Sequence, residues 1–155
     1  MDGRGGRVAI PSVSPQEASD LLSASRGHVY LDVRSVEEFS EGHPRAAHNI
    51  PLLLAEPGTG QLIPNPEFLR VVRANFPPDT PLLVGCLAGG RSLKAAEILN
   101  KAGYSNVWNV RCGFGGARNF LGHVVEPGWS ALGLPVERGG EPGKSYESLV
   151  HRART

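Results

Sequence analysis

Cys86 stands where a chain would place a nucleophile. Residues 82–92 read Leu-Leu-Val-Gly-Cys-Leu-Ala-Gly-Gly-Arg-Ser. An apolar, strand-like run ends at the cysteine, and a loop of small residues leads into a helical pattern that begins around Arg91–Ser92. A junction of this kind aims several backbone N–H groups at one point. It also turns the positive end of the helix dipole towards the sulfur. Both effects favour thiolate over thiol. Gly89 and Gly90 let the backbone close around an anion, and Arg91 adds a permanent positive charge. The expectation is a reactive thiolate at Cys86 in a cradle formed by Leu87, Ala88, Gly89, Gly90, Arg91 and Ser92.

Other residues invite weaker assignments. Asp32 and Arg34 lie at the end of an apolar strand pattern, on the edge where Cys86 is expected. They read as a structural ion pair or loop brace that supports the site. His43, beside Gly42, reads as a turn-stabilising hydrogen-bond former rather than an acid–base group. His28, His48, His123 and His151 are scattered and take no role. No Cys/His pair has ligand spacing, so neither a metal nor a cofactor is expected.

The elements that must position these residues can be read from pattern. Val8–Val13 suggests a short entry strand. Ser14-Pro15-Gln16-Glu17 is a capping box with proline at the first helical position, and Gly27 is expected to end that helix. Val29–Val33 reads as a buried strand. Ser35 and Glu38 form a second capping box, opening a short helix that stops at Gly42. Ala47–Ile50 suggests a third strand. Residues 56–64, rich in glycine and proline, read as a surface loop. Asn65-Pro66 opens a helix with Phe68, Leu69, Val72 and Phe76 on one face. Leu82–Gly85 is the strand before Cys86; Leu93, Ala96, Leu99 and Ala102 are expected to line the helix after it. Val107–Val110 is the last strand. Strands alternating with helices imply an α/β domain with a mostly parallel sheet, whose ligand crevice lies at the carboxyl ends of the strands.

The chain's 155 residues are 40% hydrophobic and 20% charged, which suits one globular domain with a real core. A net charge of +1 gives no reason to expect nucleic acid as a partner. No apolar run approaches the roughly 18 residues that cross a bilayer, and no secretory signal is visible. With two cysteines, one of them in an anion cradle, a reducing cytoplasm is the expected compartment. Residues 1–7 read as a flexible leader, 8–136 as the domain and 137–155 as a loose tail with at most a short helix near Ser145–Arg152.

The order of motifs resembles the rhodanese family. Four blocks carry the resemblance: Leu31-Asp32-Val33-Arg34 with Glu37-Glu38-Phe39; Gly42-His43-Pro44-Arg45-Ala46 leading to Asn49-Ile50-Pro51; Cys86 to Ser92; and Gly113-Phe114-Gly115-Gly116 followed by Gly133-Leu134-Pro135-Val136. The resemblance implies a rhodanese-like α/β fold with about five strands and helices on both faces. It implies a thiosulfate sulfurtransferase that carries sulfur as a persulfide on Cys86, with the loop amides and Arg91 binding an anionic donor. It leaves cyanide, a thiol or a protein as the sulfur acceptor. A related phosphatase and arsenate-reductase branch uses a longer loop; the four residues between Cys86 and Arg91 favour sulfur. A persulfide carrier that docks on a partner without turnover is the other alternative. Cys112 reads as a half-buried thiol without chemistry, or as a resolving thiol that attacks the Cys86 persulfide. The sequence departs from the family pattern at Pro44, Arg45 and Ala117. Residues 117–128 resemble an insertion that displaces an aromatic residue to Trp129.

Overall fold

The structure is a computed structural model that describes residues 9–154. The expected leader, residues 1–7, lies outside them. The elements run β1 (Ser12–Val13), α1 (Pro15–Ser23), β2 (Val29–Asp32), α2 (Val36–Glu41), β3 (His43–Pro44), β4 (His48–Asn49), β5 (Leu53–Ala55) and β6 (Leu62–Pro64). They continue with α3 (Phe68–Asn75), β7 (Leu82–Gly85), α4 (Gly90–Lys101), β8 (Val107–Val110), β9 (Ala117–Arg118), β10 (Val124–Glu126), β11 (Val136–Glu137) and α5 (Tyr146–Ala153).

Five strands form one sheet in the order β1-β8-β7-β2-β4, with every neighbouring pair parallel. Each of the five falls within a stretch read as a strand from sequence. Side chains alternate across the sheet, as the two-residue period of a strand requires. Leu31, Leu82, Val84 and Val107 face one core, which α3, α4 and α5 cover through Phe68, Val71, Val72, Ala95, Ala96, Leu99 and Leu149. Tyr30, Leu83 and Val110 face a second core with Ala18 of α1, Phe39 of α2 and Trp129. Helices therefore lie on both faces, and the central strands are apolar on both sides.

Both capping boxes form. Ser14 Oγ accepts the Glu17 amide at 3.0 Å while Glu17 Oε1 accepts the Ser14 amide at 2.7 Å. Ser35 and Glu38 exchange the same pair of bonds at 3.1 Å each. Such caps contribute about 1 kcal/mol apiece and fix where a helix starts. α1 stops at Ser23, before Gly27, because Ser25 already turns out of the helix with φ +56°.

Three expectations need correction. Residues 56–64 are not all loop: Leu62–Pro64 pairs antiparallel with Leu53–Ala55, and the glycines at 58 and 60 make the turn between them. Leu93 does not face the core; it is 40% exposed, and Ser92, Ala95, Ala96 and Leu99 are the buried positions of α4. The helix begins at Gly90, one residue earlier than expected.

The third correction concerns the segment 137–155, which is not a loose tail over its described residues. β11 pairs with β3, and the Asn49 amide donates to Lys144 O at 2.9 Å. α5 then lays Leu149, fully buried, against α3, and Asn75 Nδ2 donates to Leu149 O at 3.0 Å. The helical spacing of Tyr146, Leu149, Val150 and Ala153 gives α5 an apolar face. A polar, glycine-rich approach hides that face from a reading by composition.

Candidate active site

β7 ends at Gly85 in the middle of the sheet, so Cys86 emerges at the carboxyl edge between β2 and β8. Gly89, with φ +113°, takes the N-cap position of α4 and offers no side chain to cap it. The cysteine supplies the missing acceptor. Its Sγ lies 3.1 Å from the Gly89 amide and 3.3 Å from the Ser92 amide, the third residue of the helix. A serine or aspartate N-cap oxygen would bind the same amide. Two of the expected cradle amides therefore reach the sulfur, with the positive end of the helix dipole behind them. Ser92 Oγ is a third neighbour, 3.3 Å from Sγ. It is held by Asn109 Oδ1 at 2.5 Å and by Gly89 O at 3.1 Å.

Cys86 is 2% exposed, whereas the next residue, Leu87, is 44% exposed. The sulfur thus forms the floor of the cradle and its loop the outer wall. A second loop, after β8, braces it from the other side. The Phe114 amide donates to Cys86 O and the Gly115 amide to Leu87 O, both at 2.8 Å. The approach is close enough that a Cβ on Gly113 would stand 2.2 Å from Cys86 O, so only glycine fits there.

The structure brings Asp32 and Arg34 together in the manner expected of a brace. Both are buried, and Arg34 Nε and Nη2 bind the two carboxylate oxygens at 3.0 and 2.8 Å. Arg34 Nη2 also donates to Gly42 O at 2.7 Å, and the guanidinium lies 4.6 Å from the centre of the Phe114 ring. The pair therefore ties the end of α2 to the loop that supports Cys86. His43 has the structural role expected of it: its Nδ1–H donates to Phe39 O at 2.6 Å, and its ring stacks on Phe39 at 3.6 Å. Trp129 packs edge-on to Tyr30 at 5.6 Å and donates its indole N–H to Pro135 O at 2.7 Å.

Arg91, expected to help bind an anionic donor, is itself paired with a carboxylate. Its Nη1 and Nη2 bind Glu38 Oε1 and Oε2 at 2.8 and 3.1 Å, with the two side chains 28% and 31% exposed. Those hydrogen bonds hold the Glu38 carboxyl at about 2, well below its usual 4.5. The Arg91 charge beside the loop is thus already matched by one carboxylate. Cys112 is buried, with φ +71° at the end of β8. Burial, then the hydrogen bond to the Glu126 carboxylate, pushes its thiol up to about 11. It is a thiol, not a thiolate, at neutral pH.

Reading the sequence alone missed Asn109 and Glu38. Asn109 carries a signal, a lone amide inside the apolar run Val-Trp-Asn-Val. Glu38 was visible only as a cap, because its partner lies 53 residues away. Residues 117–126, most of the stretch read from sequence as resembling an insertion, form the hairpin β9–β10, which leaves Phe120 95% exposed at its tip. Among the described residues, no group of three or more His, Cys, Asp or Glu side chains is placed to hold a metal, and no helix is long and apolar enough to cross a membrane.

Comparison with known proteins agrees with this geometry. Thiosulfate sulfurtransferase 16, chloroplastic, of Arabidopsis thaliana is 39% identical over 126 residues, covering 81% of this chain and 92% of that protein. Thiosulfate sulfurtransferase 18 of the same plant is 45% identical over 107 residues, covering 68% and 76%. The crystal structure of Rv0390 from M. tuberculosis superimposes with a TM-score of 0.68 at 30% identity, covering 85% of this chain and all of that one. The Rhodanese-like domain matches residues 14–119. With a parallel sheet presenting Cys86 at its carboxyl edge, and with these matches, the chain belongs to the rhodanese-like family of sulfurtransferases.

Proposed function

We propose that this chain moves a sulfane sulfur from thiosulfate, or a donor like it, to a thiophilic acceptor through a persulfide on Cys86. The Cys86 thiolate attacks the outer sulfur of the donor. A bond forms between Sγ and that sulfur, the donor's own S–S bond breaks, and sulfite leaves with the electron pair. The acceptor, cyanide or a thiolate, then attacks the outer sulfur of the persulfide and Sγ leaves as thiolate. This is nucleophilic catalysis in two displacements. One observation carries the reading: Sγ caps the helix in place of an oxygen, 3.1 and 3.3 Å from two amides that can hold its negative charge. In the persulfide the charge sits one atom further out, towards Leu87 to Arg91 and their remaining N–H groups. Arg91 binds the departing sulfite, sharing its charge with Glu38.

The names of the two plant relatives support thiosulfate as donor. The compartment we infer is the cytoplasm, where the two free thiols stay reduced; one relative is named chloroplastic. The test is thiocyanate formation from thiosulfate and cyanide, beside intact mass after thiosulfate alone. Wild-type protein is expected to gain one sulfur atom and to turn over, and Cys86→Ala to do neither. Gain of sulfur without turnover would favour a carrier. Equal thiocyanate rates for the two proteins would refute the proposal.

A further inference from the structure

Asn109 is a polar residue on an apolar face. Along β8 it shares a side of the strand with Val107, two positions earlier, so it looks towards α4 and the main core. It is buried, as is Ser92 of α4. An apolar side chain would fill such a position without desolvating an amide, a cost that a matched hydrogen bond offsets. The match is Ser92 Oγ, 2.5 Å from Asn109 Oδ1. That oxygen carries one proton and has three neighbours that can accept it: Asn109 Oδ1, Gly89 O at 3.1 Å and Cys86 Sγ at 3.3 Å. Gly89 O already accepts the Leu93 amide at 3.1 Å.

With Oδ1 taking the Ser92 proton, the hydroxyl offers the sulfur only a lone pair. Cys86 then completes the chain as a donor, S–H to Oγ and O–H to Oδ1. That order fits a thiol. A thiolate meets the same lone pair as a repulsion, so the chain must run the other way, and the amide can reverse it. Its two ends are alike in shape, and among the described residues no hydrogen bond holds Nδ2. A half-turn about the Cβ–Cγ bond puts Nδ2 against Ser92 Oγ. Its N–H donates to that oxygen, and the hydroxyl proton swings to the sulfur, each bond polarising the next. We infer that Asn109 is a positioning residue for the nucleophile: its amide turns to aim the Ser92 hydroxyl at the Cys86 thiolate, and turns back when the sulfur carries a proton. The thiol proton itself leaves to water; the hydroxyl and the amide only rotate. The inference deepens the persulfide reading above and rests on it for its effect on sulfur transfer.

The experiment follows Cys86 in two reactions. Alkylation by iodoacetamide, an uncharged reagent, reports the thiolate alone; sulfur uptake from thiosulfate, read by intact mass, reports the transfer. Both are timed at about pH 6.5 and about pH 9.5 in the wild type, Asn109→Asp, Asn109→Leu and Ser92→Ala, and in each Asn109 variant combined with Ser92→Ala. A carboxylate can only accept, so Asn109→Asp holds the Ser92 proton away from the sulfur. It is expected to slow alkylation about ten-fold at the lower pH, the scale of one hydrogen bond to a charged group. At the higher pH, where base forms the thiolate in any case, the factor should shrink to about two. In the Ser92→Ala background the same substitution acts through its charge alone and should slow alkylation about three-fold. Asn109→Leu brings no charge; it should cost about three-fold beside Ser92 and nothing in the Ser92→Ala background. Equal factors in the two backgrounds, or at the two pH values, would overturn the positioning role, and Asn109→Leu decides it should Asn109→Asp not fold. Sulfur uptake should fall in the same order as alkylation. Wild-type protein that is alkylated but takes up no sulfur would overturn the persulfide reading, while the alkylation rates still decide the role of Asn109.

Discussion

The Glu38–Arg91 pair makes a prediction that can be worked through in numbers. Glu38→Gln keeps an oxygen to accept the Ser35 amide, so the start of α2 survives, but it removes the carboxylate from Arg91. Holding a carboxyl at about 2 in place of 4.5 is equivalent to about 3 kcal/mol. The side chains are about a third exposed, and solvent screening reduces this to about 1–2 kcal/mol. The sign follows from a depressed folded-state value. The contribution is fully present above about 4.5, falls as pH drops towards 2, and is down to about two fifths at pH 3. Glu38→Gln is therefore expected to lose about 1–2 kcal/mol in urea unfolding at pH 7 and less than half that at pH 3. Its effect on the reaction runs the other way. Releasing Arg91 adds one net positive charge beside the loop. At about 1 kcal/mol for unit charges about 4 Å apart in water, KM for thiosulfate should fall about five-fold. A stability loss equal at both pH values, together with an unchanged KM, would refute the reasoning.

Three further outcomes rest on Leu149 and Cys112. Leu149→Ala should cost about 2–4 kcal/mol by thermal or urea unfolding, because α5 buries that side chain fully in the main core; a loss below about 1 kcal/mol would mean that the helix is not docked. Cys112 should resist iodoacetamide at pH 7, because burial and Glu126 keep it a thiol. Cys112→Ser should then turn over as the wild type does and yield the same oxidation products; a disulfide to Cys86 in peptide mapping after oxidation would instead assign it a resolving role.

Much of the framework was legible in the sequence, for identifiable reasons. The five sheet strands are short apolar runs bounded by turn residues, and α1 and α2 each announce themselves with a reciprocal cap. The cradle was legible because glycine spacing, a cysteine and a following helix are all local. Pairings between distant residues were not. Nothing near Glu38 in the chain points to Arg91, which lies 53 residues away. The buried face of α4 is not legible from Leu93, because small residues, Ser92, Ala95 and Ala96, fill the close approach to the sheet and leave the larger leucine at the exposed rim. α5 was undervalued because a single docked leucine weighs little in a composition average, yet one fully buried side chain contributes about 1.5–3 kcal/mol.

The hairpin after β8 has a pinched neck. A Cβ on Gly128 would stand 2.3 Å from the amide nitrogen of Gly116, so the chain leaves the cradle and returns to nearly the same point. An excursion whose ends touch can grow or shrink without moving what lies below it, since each doubling of a loop costs only about 0.6 kcal/mol. The tip that carries Phe120 is thus free to diverge while the backbone below the neck keeps its place. For an engineer, residues 119–123, the turn between β9 and β10, are where a foreign peptide can be grafted.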